Sequence, residues 1–232
     1  MRLLLLKDFL DLIFPVNCPL CQTALYDWED SLCTVCRGNL PISSHYLRPE
    51  DNDLTAKIEG LTRVTRAMAF LKFTKDGQSQ QLLHLLKYRN RPDLGIALGK
   101  WFGQTLESQD YVKKWDMICP VPLHQMKKKR RGYNQSEEFA KGLAQSLNLP
   151  VENLLIRKVF TDTQTKKSRL ERLENVSQVF DIQTGINISN KNILLVDDVI
   201  TTGATLCSCA NMLLANGAKN VDLATIAAGG RI

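Results

Sequence analysis

Two short stretches of the chain hold residue types and spacings that can do chemistry. The first is Cys18-Pro-Leu-Cys21, followed after eleven residues by Cys33-Thr-Val-Cys36. Two C-x-x-C knuckles at that separation can set four thiolates tetrahedrally around one zinc ion, at about 2.3 Å each. Four thiolates leave no open position, so a structural role is expected. A redox pair or unligated thiols are the competing reading. His45 follows nearby, but the shell is already full, and a solvent-facing histidine is expected. Seven cysteines, an odd count, do not describe a disulfide framework. Cys119 sits in an apolar run where a small buried thiol is the default. Cys207 and Cys209 lie two apart on an expected helix, point to different faces, and read as packing residues.

The second stretch is Ile193-Leu-Leu-Val-Asp-Asp-Val-Ile-Thr-Thr-Gly-Ala-Thr205. Its apolar start predicts a buried strand that delivers Asp197 and Asp198 to a carboxyl edge, where ligands bind in open α/β sheets. Thr201, Thr202, Gly203, Ala204 and Thr205 then make a tight turn into a helix. Backbone N–H groups, threonine hydroxyls and the positive helix end can all address one phosphate there. Gly203 is expected to let the chain approach the ligand without a Cβ in the way. One segment thus offers recognition of a phosphate and of an adjacent diol. A Walker A loop needs Gly-Lys-Ser/Thr, a phosphatase nucleophile needs Asp-x-Asp, and a response-regulator pocket needs a further aspartate and a lysine; none is evident here.

Charge is unevenly placed. Residues 113–172 hold 14 Lys or Arg against 6 Asp or Glu, while the whole chain carries only +6. A basic middle on a near-neutral body suggests a localised anion site for phosphate or nucleic acid, the alternative being a solvated loop. It contains the run Lys127, Lys128, Lys129, Arg130, Arg131, with Tyr133 the only ring beside it, and a second group of Lys166, Lys167, Arg169 and Arg172.

The elements that must position these residues follow from hydrophobic pattern. Strands are expected over 67–73, 117–121, 192–196 and 221–227, and helices over 80–88, 94–106, 134–147 and 203–216. Short buried runs alternating with helices indicate an α/β fold with a parallel sheet covered on both faces. His84 falls on the 80–88 helix, where a satisfied partner is expected rather than a catalyst. Lys87, Tyr88 and Arg89 fit a solvated helix end as well as a binding site. Pro41 to Asp53 is polar and bounded by proline, and reads as a linker.

At 232 residues with 44% apolar content, the chain suits one domain plus a small module and argues against disorder. No stretch approaches the ~20 apolar residues of a membrane span. Asp8 and Asp11 interrupt the leucine-rich start, which reads as an amphipathic helix ended by Pro15 rather than a signal peptide. A cytoplasmic protein is expected.

The stretch Ile193–Thr205 resembles the phosphoribosyl-pyrophosphate (PRPP) loop of type I phosphoribosyltransferases. Pro120-Val-Pro-Leu-His124, the basic run, Arg131-Gly-Tyr-Asn-Gln135, Asn175-Val176 with Phe180, and the double C-x-x-C together resemble the ComF (competence protein F) family. The resemblance implies a zinc-ribbon-like module over 1–45 and a phosphoribosyltransferase-like domain over 55–232, divided into a hood (55–110) and a core (111–232). It implies Asp197 and Asp198 at the ribose as the catalytic carboxylates, Thr201–Thr205 at the 5′-phosphate, Lys127–Arg131 in a pyrophosphate or nucleic-acid loop, and Lys166, Lys167, Arg169 and Arg172 in a mobile loop. Zn²⁺ bound by Cys18, Cys21, Cys33 and Cys36 and Mg²⁺ arriving with PRPP are the implied cofactors. Single-stranded DNA and other DNA-uptake proteins are the implied partners. Three functions stay open: a transferase with an unknown acceptor, a single-stranded-DNA-handling protein switched by PRPP, and a PRPP-sensing regulator outside DNA uptake. No acceptor-recognition element is legible.

Overall fold

The computed structural model describes residues 14–157 and 179–229. The N-terminal helix expected before Pro15 falls almost wholly outside them, as do the expected mobile-loop residues Lys166, Lys167, Arg169 and Arg172.

In chain order the elements are α1 (Thr34–Gly38), α2 (Asp53–Ile58), β1 (Ala67–Lys72), α3 (Gln78–Tyr88), α4 (Pro92–Leu106), β2 (Met117–Pro120), α5 (Gln125–Arg131), α6 (Gln135–Leu147), β3 (Leu155–Arg157), β4 (Phe180–Ile182), β5 (Asn192–Ile200), α7 (Ala204–Ala215) and β6 (Asn220–Ala228). Strands β1, β6, β5 and β2 lie side by side in that order, every neighbouring pair parallel. Strands β3 and β4 form a separate antiparallel pair.

Alternation along the strands divides the core in two. Leu194 and Val196 of β5 face the cluster that holds Met68, Phe70, Leu98, Phe102 and Phe139. Ile193 and Leu195 face the opposite cluster, with Leu54, Cys119, Phe180, Leu206 and Cys209. Both faces are covered, so the strands read as continuous apolar runs. Cys119, Cys207 and Cys209 are all buried in the second cluster.

The polar 41–53 stretch is not a free linker. It runs along the outer edge of β1: Ser43 N–H donates to the Phe70 carbonyl at 2.8 Å and Lys72 N–H to the Pro41 carbonyl at 2.8 Å. The Ser43 hydroxyl donates to the Ala69 carbonyl. The segment thus caps an otherwise unpaired strand edge. His45 is anchored there too; its side chain is only 11% exposed and its Nε2 lies 2.8 Å from Asp53 Oδ1, so it does not face solvent as expected.

Helix α4 packs on α6 at backbone distance. A Cβ on Gly99 would lie 2.2 Å from the Phe139 carbonyl oxygen, and one on Gly142 would lie 2.0 Å from the Ile96 carbonyl oxygen. Glycine is required at this crossing by space rather than by φ. The 55–110 stretch therefore contributes β1 to the sheet and α4 to the main core, while Ile58 of α2 and Lys87 at the end of α3 reach the ligand edge.

Candidate functional site

Strand β5 outruns its neighbour. The β2 pairing ends with Pro120 opposite Val196, and Val121 N–H closes it on the Val196 carbonyl at 2.8 Å. Asp197 and Asp198 therefore overhang the edge, with β6 still beside them. Beyond β2 the chain turns through Pro122 and Leu123 into α5. That turn is pinned by Asn134, whose side-chain amide donates to the Val121 carbonyl at 2.9 Å while its Oδ1 caps α6 through Ser136 N–H at 3.2 Å.

The overhang, the turn and the start of α6 enclose a cleft of about 170 Å³. Asp197 Oδ1 accepts from the Ser136 hydroxyl at 2.8 Å and from Asp198 N–H at 2.8 Å. Asp198 Oδ2 meets Lys87 Nζ, from the last turn of α3, at 3.0 Å. Burial, and then the negative charge of Asp198, push the Asp197 carboxyl up to about 7; Ser136 and Lys87 pull the other way. Burial thus favours the neutral form of Asp197, and a cation arriving at the pair would offset that cost through hard oxygen donors.

Thr201 and Thr202 are exposed, and the turn enters α7 through Gly203 at φ +79°. Gly203 is buried, and a Cβ there would meet Ile58 of α2 at 2.7 Å. Glycine is thus required for its left-handed backbone and for packing on α2. Thr205 lines the cleft. The first N–H groups of α7 have no carbonyl within the helix to bond.

The basic run is a helix, not a loop: α5 spans Gln125–Arg131 and ends at Gly132 (φ +82°). Helical spacing divides its charges. Lys127 and Arg131, one turn apart, line the cleft. Lys128 instead pairs with Glu137 at 2.9 Å. Tyr133, the ring expected beside the run, is buried and donates its hydroxyl to the Leu86 carbonyl. Lys87, Asn134, Gln135, Ser136 and Arg157 join the cleft although the sequence did not single them out as site residues. Asn134, Gln135 and Ser136 carried a signal, an N-cap followed by polar residues opening a helix just after the basic run; Lys87 reads equally as a solvated helix end or a binding site, and Arg157 carried no signal.

The sulfurs of Cys18, Cys21, Cys33 and Cys36 all lie within 4.8 Å of one another. Cys18 and Cys21 sit on a tight turn closed by Cys18 N–H to the Thr23 carbonyl and Gln22 N–H to the Cys18 carbonyl, both at 2.8 Å. Cys33 caps α1, its sulfur accepting from Cys36 N–H at 3.4 Å. Hydrogen bonding with Thr23 pulls the Cys21 thiol down to about 6. Four converging sulfurs are the donor set and the spacing that a tetrahedral zinc site takes. The cluster is also part of the main core, which contains Cys18, Leu32, Cys33, Cys36 and Leu40 alongside Trp101 and Phe102 of α4. Arg37 lies over the Trp101 ring, 4.5 Å from its centroid.

This fold and edge site define a phosphoribosyltransferase-like protein, and the phosphoribosyl transferase domain profile matches residues 133–231. Competence protein ComFC of Bacillus subtilis (strain 168) is 30% identical over 202 residues, covering 86% of this chain and 78% of the relative. The chain belongs to the ComF family. It is also 32% identical to the DNA utilization protein YhgH of Salmonella typhimurium and 33% identical to competence protein F of Haemophilus influenzae. These matches cover 61% and 48% of this chain, and the chain spans 63% and 50% of those two relatives' lengths. Among solved structures, the B. subtilis glutamine PRPP amidotransferase, complexed with ADP and GMP, is similar over 60% of this chain and 30% of its own, at 24% identity and a TM-score of 0.43.

Proposed function

We propose that this protein binds PRPP at the overhanging end of β5 and acts, in the cytoplasm, in the handling of internalised single-stranded DNA during natural transformation. The observation that carries the PRPP part is the convergence, at one cleft, of the Asp197–Asp198 pair, Thr205 at the end of the Thr201–Thr205 turn, and four cations: Lys87, Lys127, Arg131 and Arg157. In this reading the carboxylates accept from the ribose hydroxyls. The turn and the start of α7 hold the 5′-phosphate, and the cations face the pyrophosphate. Mg²⁺, when bound, supplies positive charge to a departing pyrophosphate, and the acid pair offers the hard oxygen donors that ion takes. The four cysteines hold Zn²⁺ in a structural role. The DNA part rests on the competence and DNA-utilization relatives and on the basic middle of the chain. Among the described residues, no helix is long and apolar enough to cross a membrane.

Turnover is a second reading of the same cleft, favoured by the cations where a leaving group's charge would develop. The chain's own part is positional: Ser136 fixes Asp197, and Lys87 fixes Asp198 until a ligand competes for that carboxylate.

Calorimetric titration of PRPP with Mg²⁺ tests the binding. Asp198→Asn removes a charge-assisted interaction expected to cost about 1.5–3 kcal/mol, a tenfold to hundredfold loss of affinity, without unfolding the chain. Equal affinity in variant and parent rules out this placement of the ribose.

A further inference from the structure

The end of α3 does more than hold Asp198. Its last turn presents Tyr88, 59% exposed, directly after Lys87. The Arg131 guanidinium lies 5.7 Å from the centroid of the Tyr88 ring. On the same helix face, one turn back, the exposed His84 ring lies 5.0 Å from that of Tyr88 at a 45° tilt. Arg131 is only partly committed. One terminal nitrogen donates to Gln135 Oε1 at 2.7 Å, while its Nε is buried without a hydrogen-bond partner.

The surface continues beyond His84 into an open groove of about 430 Å³. It is lined by Gln80, Gln81 and His84 of α3, by Arg89 just beyond that helix, by Asp76 before it and by Pro19 from the first cysteine knuckle. A continuous strip therefore leads from the acid cleft, over Arg131, Tyr88 and His84, to the cysteine module. It carries cations at Lys127, Arg131 and Arg89 and one carboxylate at Asp76, with amide side chains that can both donate and accept.

An exposed tyrosine flanked by a guanidinium and a second ring stabilises nothing in the core. It does offer what an unpaired base needs, a flat π surface beside cations that track a phosphate backbone. A duplex keeps its bases stacked inside and cannot use such a surface. We infer that the α3 strip formed by His84, Tyr88, Arg89 and Arg131 is the seat of a single strand of DNA, which stacks a base on Tyr88 and runs from the PRPP cleft toward the cysteine knuckle. The assignment rests on the proposed role in single-stranded DNA handling and says where on the molecule that contact is made. It differs from an assignment to the basic helix alone, because a ring rather than a lysine run carries the affinity.

The experiment is fluorescence anisotropy with a labelled 12-nucleotide single strand and the full chain, at several salt concentrations, for the parent, Tyr88→Ala, Tyr88→Phe and Arg89→Ala. PRPP affinity and melting temperature are measured on each protein. Tyr88→Ala is expected to weaken single-strand binding about tenfold, with the log–log salt slope and the PRPP affinity unchanged. Tyr88→Phe keeps the π face and is expected to bind within twofold of the parent. Arg89→Ala is expected to lower the salt slope by about 0.7. Undiminished DNA binding by a folded Tyr88→Ala protein overturns the assignment and leaves the proposed function standing. Parent protein that binds PRPP but no single strand overturns both the assignment and the DNA part of that function. Loss confined to transfer onto a free nucleobase, with DNA binding intact, overturns it in favour of an acceptor site.

Discussion

Asp197 and Asp198 are neighbours in sequence but are held by different means, and this gives them different chemistry. Asp198 shares its charge with Lys87 across 3.0 Å. Asp197 is enclosed, has hydrogen bonds from Ser136 and a backbone N–H, and faces its neighbour's charge, so its carboxyl rises to about 7. An acid raised by folding is most stable in its neutral form. The folded chain therefore keeps a proton that the unfolded chain releases near pH 4, and stability falls as pH rises from there to about 7. PRPP and its cation need the charged form, so affinity should climb across the same upper range. Asp197→Asn is expected to remove the first dependence, melting no lower than the parent at pH 8 while binding PRPP at least tenfold more weakly. Melting curves and titrations at pH 5, 6.5 and 8 check both. A parent whose PRPP affinity is flat over that range would show that Asp197 is already ionised in the free protein. At Gly203 local logic reaches only part of the reason for glycine. Its left-handed φ follows from the turn, but its close neighbour is Ile58, 145 positions earlier in the chain.

Helix α6 carries the site's fixed wall, since Asn134, Gln135 and Ser136 sit at its start, and its position depends on α4. At the Gly99–Gly142 crossing the helix backbones touch, so a methyl group on either side meets a carbonyl or an amide rather than a movable side chain. Gly99→Ala gains up to about 1 kcal/mol of helix propensity, but the overlap should outweigh it, leaving the chain about 2 kcal/mol less stable. That corresponds to a melting temperature lower by about 4–8 °C in a chain of this size. PRPP affinity should fall with it as Ser136 moves from Asp197. Gly38→Ala, whose Cβ would meet nothing within 4 Å, is the control. A stabilised Gly99→Ala protein would show that the helices can part without cost. Much of this level was legible beforehand. Buried runs marked β1, β2, β5 and β6, and apolar periodicity marked α3, α4, α6 and α7, because those signals are local. The basic run was misread as a loop because a solvated helix has no apolar stripe to betray it. The 41–53 stretch was misread because its partner, the edge of β1, lies elsewhere in the chain. Lys87 was undecidable for a related reason: its meaning is an ion pair with a residue 111 positions away.

At the scale of the whole molecule, the cysteine module and the phosphoribosyltransferase-like body share a core. Cys18, Cys33 and Cys36 are buried in the same cluster as Phe70, Trp101 and Phe102. Arg37 covers Trp101 from the module side, and Arg91 clamps Asp93 at the start of α4 through bonds of 2.7–3.1 Å. The hydrogen bonds to Asp93 raise the Arg91 guanidinium further above its usual range. Contacts then run from the cysteines to α4, from α4 through its glycines to α6, and from Ser136 of α6 to Asp197. A module joined by a free linker would unfold alone when its metal is removed; one built into the core should bring the body with it. Structural zinc contributes folding energy directly, and a loss of about 3–5 kcal/mol corresponds to about 6–20 °C here. Calorimetry of the chain before and after chelation, with Cys33→Ser alongside, is therefore expected to show one transition displaced downward. PRPP affinity should fall severalfold even below that transition. Two resolved transitions, with the larger one unmoved and PRPP binding intact, would show that the shared core is too weakly coupled to carry stability from the cysteines to the acid pair.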